Sequence, residues 1–298
     1  MLSTTIKPPY IKKEENEESC SCNNPLVPDA RHENPKWERV HQMNVAAMEQ
    51  KGMANLDVVF LGDSITEGWL GQFYHNPDSR VQGAFTIFQS FFSKRTGGKY
   101  EGLPQGIAGD TIPELLWRIQ HGEVPPYNEW QDRLATTPFP VFWLLIGTND
   151  LGKQAKEGMF VLDWTLNVLS SIVSQNEYTS TPVAHEQVIL FLQCEGNHGC
   201  SQDIVTIGIV RIIMELLQKW PTSIVVINGL LPRTNDHSGY VMQSQGKSPT
   251  LWPVIKNINS ELEKYATHRR RVEYFETQAF FKEGAFLEKD LRIDPVLM

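Results

Sequence analysis

Short apolar runs that alternate with helical patterns constrain the fold of this chain more than any other feature. Runs suited to buried strands span residues 56–61, 139–146, 223–227 and 272–275, with a weaker one at 100–107. Between them, apolar residues recur at helical spacing in residues 85–92, 111–120, 204–220 and 252–268. Strands that are apolar throughout and alternate with helices are typical of a parallel sheet covered on both faces. The pattern therefore predicts an α/β domain.

The amino-terminal part of the chain differs in composition from the rest. Residues 1–35 are polar, rich in Pro, Asn and charged residues, and show little apolar periodicity, so we expect a disordered leader. Residues 36–298 are expected to form a single domain. Its first element is predicted to be a helix, because apolar residues recur at helical spacing at Trp37, Val40, Met43, Ala47 and Met48.

Charge and hydropathy limit the classes of partner. The formal net charge of −8 disfavours a nucleic-acid or anionic-membrane partner, since both are bound through clustered Lys and Arg. No window of about 18 apolar residues predicts a membrane-spanning helix, and the first twenty residues hold no apolar stretch of signal-peptide length. These features favour a soluble cytoplasmic protein that acts on a small molecule.

The cysteines do not predict a disulfide scaffold or a metal centre. Four cysteines are too few for a disulfide framework in a chain of 298 residues. Cys194, His198 and Cys200 lie close together in the sequence, but a zinc site usually needs a fourth ligand from a second cluster. No metal or other cofactor is predicted.

Three short segments carry the candidate chemistry. Gly62-Asp63-Ser64, the glycine-rich segment that contains Gly109, and Gly147-Thr148-Asn149-Asp150 each follow a predicted strand. In open α/β sheets, ligands bind beyond the carboxyl ends of the strands, so these segments are expected to converge. A serine, a backbone N–H and an amide side chain suit acyl transfer, which needs a nucleophile and donors aimed at an oxyanion.

Each segment also has a purely structural interpretation. Ser64 with Glu67, and Thr111 with Glu114, have the spacing of a helix capping box. Asn149 alone is typical of a turn residue that hydrogen-bonds its own backbone. The functional interpretation depends on the three segments together.

Together the segments resemble those of the SGNH hydrolases, the GDSL-type esterases and lipases, and are most similar to the platelet-activating-factor acetylhydrolase catalytic-subunit group. Further likeness lies in Leu116-Trp117-Arg118 with Gly122-Glu123, and in residues 229–233. The resemblance implies a flavodoxin-like three-layer α/β/α fold with a parallel sheet of about five strands. It also implies ester hydrolysis through an acyl-enzyme on Ser64, with the backbone N–H groups of Ser64 and Gly109 and the amide of Asn149 binding the oxyanion, and no cofactor.

The chain departs from the family pattern at its carboxyl end. The last family block is an Asp followed three residues later by a His, whereas Leu297 stands three residues after Asp294. The carboxyl-terminal catalytic block is therefore expected to be missing. Without it, we expect the chain to be nearly inactive on esters. His237, in the loop after the fourth strand, is the one histidine that the strand order places near Ser64, and the alternative is an exposed loop histidine without a catalytic role.

Residues 153–193 are predicted to be an insertion, because the crossover after the third strand does not need so much chain. A retained in-frame intron and a genuine surface insertion both stay open.

The predicted function is an SGNH-type esterase that hydrolyses small acyl or acetyl esters. The alternatives are a catalytically dead binding or scaffolding protein with the same fold, and a serine-dependent acyltransferase. A nucleotide-binding protein is disfavoured, because Thr96-Gly97-Gly98-Lys99 lacks the earlier glycine of a P-loop.

Overall fold

A five-stranded sheet forms the centre of the molecule. The computed structural model describes residues 22–129, 140–151, 200–231 and 251–277. The sheet strands are β1 (Val58–Gly62), β4 (Gly102–Gly106), β5 (Val141–Leu145), β6 (Ile224–Asn228) and β7 (Val272–Phe275). A short hairpin of β2 (Gln72–Phe73) and β3 (Asn76–Pro77) lies between β1 and β4 in the chain.

The sheet is parallel and follows the order β4-β1-β5-β6-β7. Counted along the chain, this is the order 2-1-3-4-5 of flavodoxin-like folds, which confirms the predicted fold class. The carboxyl ends of β4, β1 and β5 are level, because Gly62 at the end of β1 pairs with Gly106 of β4 on one side and with Leu145 of β5 on the other. Segments that follow these strands therefore leave the sheet at the same edge.

The described structure contains six α-helices, besides shorter helical turns. They are α1 (Pro35–Lys51), α2 (Ser64–Glu67), α3 (Ala84–Phe92), α4 (Ile112–Arg118), α5 (Gln202–Lys219) and α6 (Trp252–Thr267). Each of the five sheet strands and of the helices α3 to α6 lies within two residues of its predicted bounds. Periodicity was sufficient for most of these elements because they bury a whole face or stripe, as α4 and α5 do.

One face of the sheet carries the main core. Val59 and Leu61 of β1 and Phe142 and Leu144 of β5 are buried in one cluster with apolar residues of α4, α5 and α6. The opposite face is packed by aromatic rings. Phe60 lies 5.5 Å from the ring of Phe88 and 4.9 Å from that of Phe92, both on α3. Helices therefore flank both faces, which makes the three layers.

The folded domain begins before the boundary predicted at residue 35. Leu26 is buried in the main core, and the Asn34 side chain accepts hydrogen bonds from the first N–H groups of α1. Cys22 forms a disulfide with Cys200, 178 residues later. The sequence prediction was wrong for residues 22–35, because their few anchoring residues make long-range contacts that produce no local periodicity.

Several predictions concern residues outside those described. They include the leader at residues 1–21, the insertion at 153–193 and the carboxyl-terminal segment after Thr277, and all of them stay predictions. The cytoplasmic location also stays a prediction, and a disulfide is more typical of oxidising compartments. Within the described part of the chain, no helix has the length and apolar character needed to cross a membrane.

Candidate active site

Ser64 is the first residue of α2, directly after β1. Asp63, not Ser64, is the N-cap, because its Oδ1 accepts a hydrogen bond of 2.9 Å from the Ile65 N–H. Glu67 also bonds elsewhere, accepting from the N–H groups of Ala108 and His75. The capping-box interpretation of Ser64 is therefore wrong. Ser64 lies at the helix N-terminus and is 6% exposed.

Gly109 lies on the loop after β4, where the backbone requires glycine. Its φ of +81° is in the left-handed region, and a Cβ there would lie 3.2 Å from Arg31 Nη1. Ala108, the residue before it, donates its N–H to Glu67 Oε2 over 2.8 Å. Gly109 itself is exposed. The loop thus presents the Gly109 backbone outward while its neighbour is anchored to α2.

Asn149 lies on the loop after β5 and reaches across to the Gly109 loop. Its Nδ2 donates a hydrogen bond of 2.8 Å to the backbone oxygen of Asp110. The turn interpretation, in which Asn149 would bond its own backbone, does not describe this contact. An amide nitrogen carries two hydrogens, so one remains to face a ligand.

A second contact joins the same two loops at the start of α4. Both oxygens of the Asp150 carboxylate accept from the Ile112 N–H, at 3.0 and 3.2 Å. The predicted capping box of Thr111 and Glu114 is present in the same helix turn. Complete burial of the Asp150 carboxylate raises its pKa to about 7, while the Ile112 hydrogen bond opposes that rise. The loops after β4 and β5 therefore form one hydrogen-bonded unit.

Arg118 joins this unit to the end of β1. Its Nη2 donates to the backbone oxygen of Gly62 over 2.7 Å, and its Nε lies 2.7 Å from Asp110 Oδ2. Its Nη1 donates to Glu123 Oε2 over 2.6 Å. Arg118, Asp110 and Glu123 are all fully buried. The Leu116-Trp117-Arg118 and Gly122-Glu123 motifs thus form an ion network below the loops that carry the candidate residues.

The carboxylates of that network are held by several donors. Trp37 Nε1 donates to Asp110 Oδ1 over 2.6 Å, and Asn44 Nδ2 donates to Glu123 Oε1 over 3.2 Å. Burial raises the pKa of Asp110 well above its ordinary value, and the adjacent Arg118 guanidinium opposes this effect. Removing one member of a buried ion pair usually costs about 3–5 kcal/mol, because the other charge is left unpaired. The network is therefore expected to hold the site rigidly.

The rings of the described histidines have contacts away from Ser64. His32 is bonded to the Glu38 side chain, His41 to that of Glu123 and His75 to that of Gln72. His121 is bonded to the backbone oxygen of Trp117, and His268 to that of Lys264. Within the described ranges, no histidine ring contacts Ser64. His237 and Asp294 lie outside those ranges, so the identity of the general base stays a prediction.

The candidate metal motif of Cys194, His198 and Cys200 is not assembled in the described structure. Cys200 is bonded to Cys22, and Cys194 and His198 lie outside the described residues. No group of three or more His, Cys, Asp or Glu side chains in the described ranges is placed to hold a metal ion.

Comparison with known proteins identifies the family. The model of the GDSL-like lipase/acylhydrolase family matches residues 60–296, which include all three candidate segments. The chain belongs to this family. Members of the GDSL-like family are hydrolases of the lipase and acylhydrolase type, so an ester-hydrolase activity is indicated. A search of curated proteins finds no significant match.

Solved structures of GDSL-like proteins are similar over most of the chain at low identity. A protein from Streptococcus pneumoniae, named as a candidate platelet activating factor, is 14% identical with a TM-score of 0.43, covering 87% of this chain and 88% of its own. A member of the lipolytic protein G-D-S-L family from Veillonella parvula is 18% identical with a TM-score of 0.38, covering 80% and 94%. The family assignment itself rests on the family model.

Sequence reasoning missed the residues that hold the Gly109 loop. Glu67 was assigned to a local capping box, Arg31 to a disordered leader, and Tyr74 was not singled out. Their partners are 41, 77 and 34 residues away in the sequence, respectively. Contacts of this kind have no local sequence signal.

Proposed function

We propose that this GDSL-like protein hydrolyses small acyl or acetyl esters with Ser64 as the nucleophile. The observation that carries the proposal is the direct connection between the candidate segments. Asn149 donates to Asp110 beside Gly109, and Glu67 of the Ser64 helix accepts from Ala108 on the other side of Gly109. A nucleophile and its oxyanion donors must be fixed relative to one another before the substrate arrives, and these contacts would do so.

In the proposed reaction, the Ser64 hydroxyl oxygen attacks the ester carbonyl carbon while its proton passes to a general base. The carbonyl oxygen becomes an oxyanion, bound by the backbone N–H groups of Ser64 and Gly109 and by the Asn149 amide. Collapse of this intermediate breaks the bond to the alcohol, which leaves with the proton. Water then attacks the acyl-enzyme by the same route in reverse, releasing the acid and restoring Ser64.

Two features of the local structure support this assignment. Ser64 lies at the amino end of α2 and Gly109 lies two residues before the N-cap of α4, so both lie near the positive ends of helices. The Gly109 loop also connects to the loop after β5, which is where flavodoxin-like sheets bind their ligands. The general base is proposed to be His237, which the sequence places on the loop after β6. With this base the chain would turn over esters, whereas without it the near-inactivity expected from the sequence would stand.

The experiment is the hydrolysis of p-nitrophenyl acetate by the wild type and by Ser64→Ala. We expect a pre-steady-state burst of nitrophenol equal to the enzyme concentration, and its loss in Ser64→Ala. A Ser223→Ala variant provides a control, since Ser223 is a buried serine at the opposite end of the sheet. Turnover that persists unchanged in Ser64→Ala would contradict the proposal. His237→Ala tests the base separately, because it should slow acylation without removing the nucleophile.

A further inference from the structure

The peptide group between Ala108 and Gly109 has an unusual pair of donors on its oxygen. Arg31 Nη1 donates to the Ala108 carbonyl oxygen over 3.3 Å, and the Tyr74 hydroxyl donates to the same oxygen over 2.7 Å. Arg31 belongs to the segment before α1, and Tyr74 belongs to the turn between β2 and β3. Two separate parts of the chain therefore converge on one backbone oxygen beside the candidate oxyanion donor.

Planarity makes this oxygen important for the Gly109 N–H. The Ala108 carbonyl and the Gly109 N–H belong to one rigid peptide unit, and in a trans peptide they point in opposite directions. The described residues contain no cis peptide bond. A donor that fixes the oxygen therefore also fixes the direction of the N–H. Donors on a carbonyl also polarise its peptide group, which strengthens the attached N–H as a donor.

The neighbouring peptide groups are held as well. The Ala108 N–H donates to Glu67 Oε2 over 2.8 Å, and the Asp110 carbonyl accepts from Asn149 over 2.8 Å. Across the described ranges, no hydrogen bond engages the Gly109 N–H itself. The loop thus has its flanking polar groups bonded to protein, and this one donor is left for a ligand.

The placement of the two donors is itself constrained. Tyr74 and His75 form a two-residue turn with φ values of +47° and +60°, a conformation that usually requires Asn or Gly. Tyr74 donates to the Ala108 oxygen, and the His75 N–H donates over 3.2 Å to Glu67 Oε1, on the same glutamate that accepts from the Ala108 N–H. Residues held in sparsely populated backbone conformations often mark a functional constraint.

Arg31 is held in place by acidic partners. Its Nε lies 3.5 Å from Glu114 Oε1, and its Nη1 lies 3.8 Å from Asp110 Oδ1. Its side chain is 24% exposed. Because its closest charged partner is Glu114 of the protein itself, the guanidinium suits a group that orients a peptide better than one that binds substrate charge directly.

We propose, resting on the function proposed above, that Arg31 and Tyr74 are positioning residues of the oxyanion hole that act through the Ala108–Gly109 peptide. This role requires no contact of either side chain with the nucleophile or the ester. Their effect is to aim and polarise the Gly109 N–H, so they stabilise the transition state more than the bound ester. Loss of either should lower kcat while leaving KM nearly constant.

The test compares Tyr74→Phe, Arg31→Met and Arg31→Lys with the wild type. The matched controls are Tyr100→Phe, an exposed tyrosine, and Arg39→Met, an exposed arginine on α1. The measurements are kcat and KM for p-nitrophenyl acetate, the inhibition constant of a trifluoromethyl ketone, and the melting temperature. The ketone forms a tetrahedral adduct with a serine and so reports oxyanion binding directly.

We expect Tyr74→Phe and Arg31→Met each to lower kcat by roughly tenfold, less than loss of a direct donor. KM should stay within about twofold, the ketone should bind weaker by the same factor as kcat falls, and Arg31→Lys should recover part of the loss. The inference is overturned if both variants behave like the controls while Ser64→Ala is inactive. It is also overturned if only KM or the melting temperature changes. If Ser64→Ala retains wild-type turnover, the proposed function fails and this inference fails with it.

Discussion

The side-chain amide of Asn149 donates a hydrogen bond to the backbone carbonyl of Asp110 over 2.8 Å, and this bond ties the loop after β5 to the loop after β4. Because Asp110 follows Gly109 directly, the contact brings an amide side chain and a candidate backbone donor to the same place. In the proposed mechanism, Asn149 has two tasks: one amide hydrogen holds the loop, and the other binds the oxyanion.

Replacing Asn149 with alanine should remove both of those interactions. We expect kcat for p-nitrophenyl acetate to fall by about 10²–10³-fold, which is typical for loss of one oxyanion donor. Steady-state kinetics measure the effect. Asn55→Ala is the control, since the Asn55 side chain bonds the Lys51 carbonyl at the end of α1. A loss of activity in the control as large as in Asn149→Ala would contradict the assigned role.

Gly109→Ala should reduce activity by more than its effect on folding explains. Gly109 and Gly97 both have positive φ, +81° and +93°, so alanine is strained at either position by about 1–2 kcal/mol. At Gly97 a Cβ would meet no atom within 4 Å, and at Gly109 it would lie 3.2 Å from Arg31 Nη1, the end of a flexible side chain that can move aside. The two variants should therefore lose similar stability in urea unfolding, while only Gly109→Ala loses most of its turnover. Equal activity in both variants would show that Gly109 has no special role.

Glu67 should make the stability of the fold depend on pH. Burial raises the pKa of its carboxyl group from 4.5 to about 7, although the Ala108 and His75 N–H groups oppose this rise. The Glu67 carboxyl group therefore binds a proton more tightly in the folded state than in the unfolded state. The stability that this proton contributes is present below about pH 4.5 and is lost as pH rises to about 7.

The measurement is the difference in unfolding free energy between the wild type and Glu67→Gln at pH 5, 6 and 8. This difference should shift against the wild type by on the order of 2 kcal/mol between pH 5 and 8, since one pKa unit corresponds to about 1.4 kcal/mol. If the glutamine amide itself destabilises the fold, that cost changes the free-energy difference by the same amount at all three pH values and leaves its dependence on pH unchanged. A difference that does not vary with pH would contradict the assignment.

The disulfide between Cys22 and Cys200 should stabilise the domain and the segment that carries Arg31. Closing a loop of this length contributes about 2–5 kcal/mol, so Cys22→Ser should lower the melting temperature by roughly 5–15 °C. Dithiothreitol should lower the melting temperature of the wild type to a similar value and leave that of Cys22→Ser unchanged. Cys20→Ser is the control and should retain the sensitivity to reductant. Reductant-insensitive melting of the wild type would argue against the bond.

The fold was largely predictable from the sequence, and the site only partly so. The central strands were evident because they are apolar and largely buried, as at Phe60 and Leu61 on the two faces of β1. The candidate residues Ser64, Gly109 and Asn149 were found because each follows a strand in a short motif. The residues that hold them, such as Arg31 and Tyr74, are distant in the sequence and have no periodic pattern. Only the folded chain reveals that both donate to Ala108.

The capping box shows why a local pattern can mislead. Ser64 and Glu67 have the spacing of that motif, and nothing in the local sequence indicates another partner for either residue. In the structure, Asp63 caps α2 and Glu67 turns to the loop after β4. The same spacing at Thr111 and Glu114 does form the capping box. Tertiary contacts therefore decide whether such a glutamate closes a capping box or bonds to a distant loop, and the local sequence does not distinguish the two.

Covalent labelling shows directly whether Ser64 is an activated nucleophile. The protein is incubated with a fluorophosphonate, which phosphonylates activated serines, and the adduct is located by peptide mass spectrometry. We expect one adduct per chain, on Ser64, that forms more slowly in Asn149→Ala and in Tyr74→Phe and is absent in Ser64→Ala. An unlabelled wild type, or an adduct on another serine with Ser64 unmodified, would contradict it.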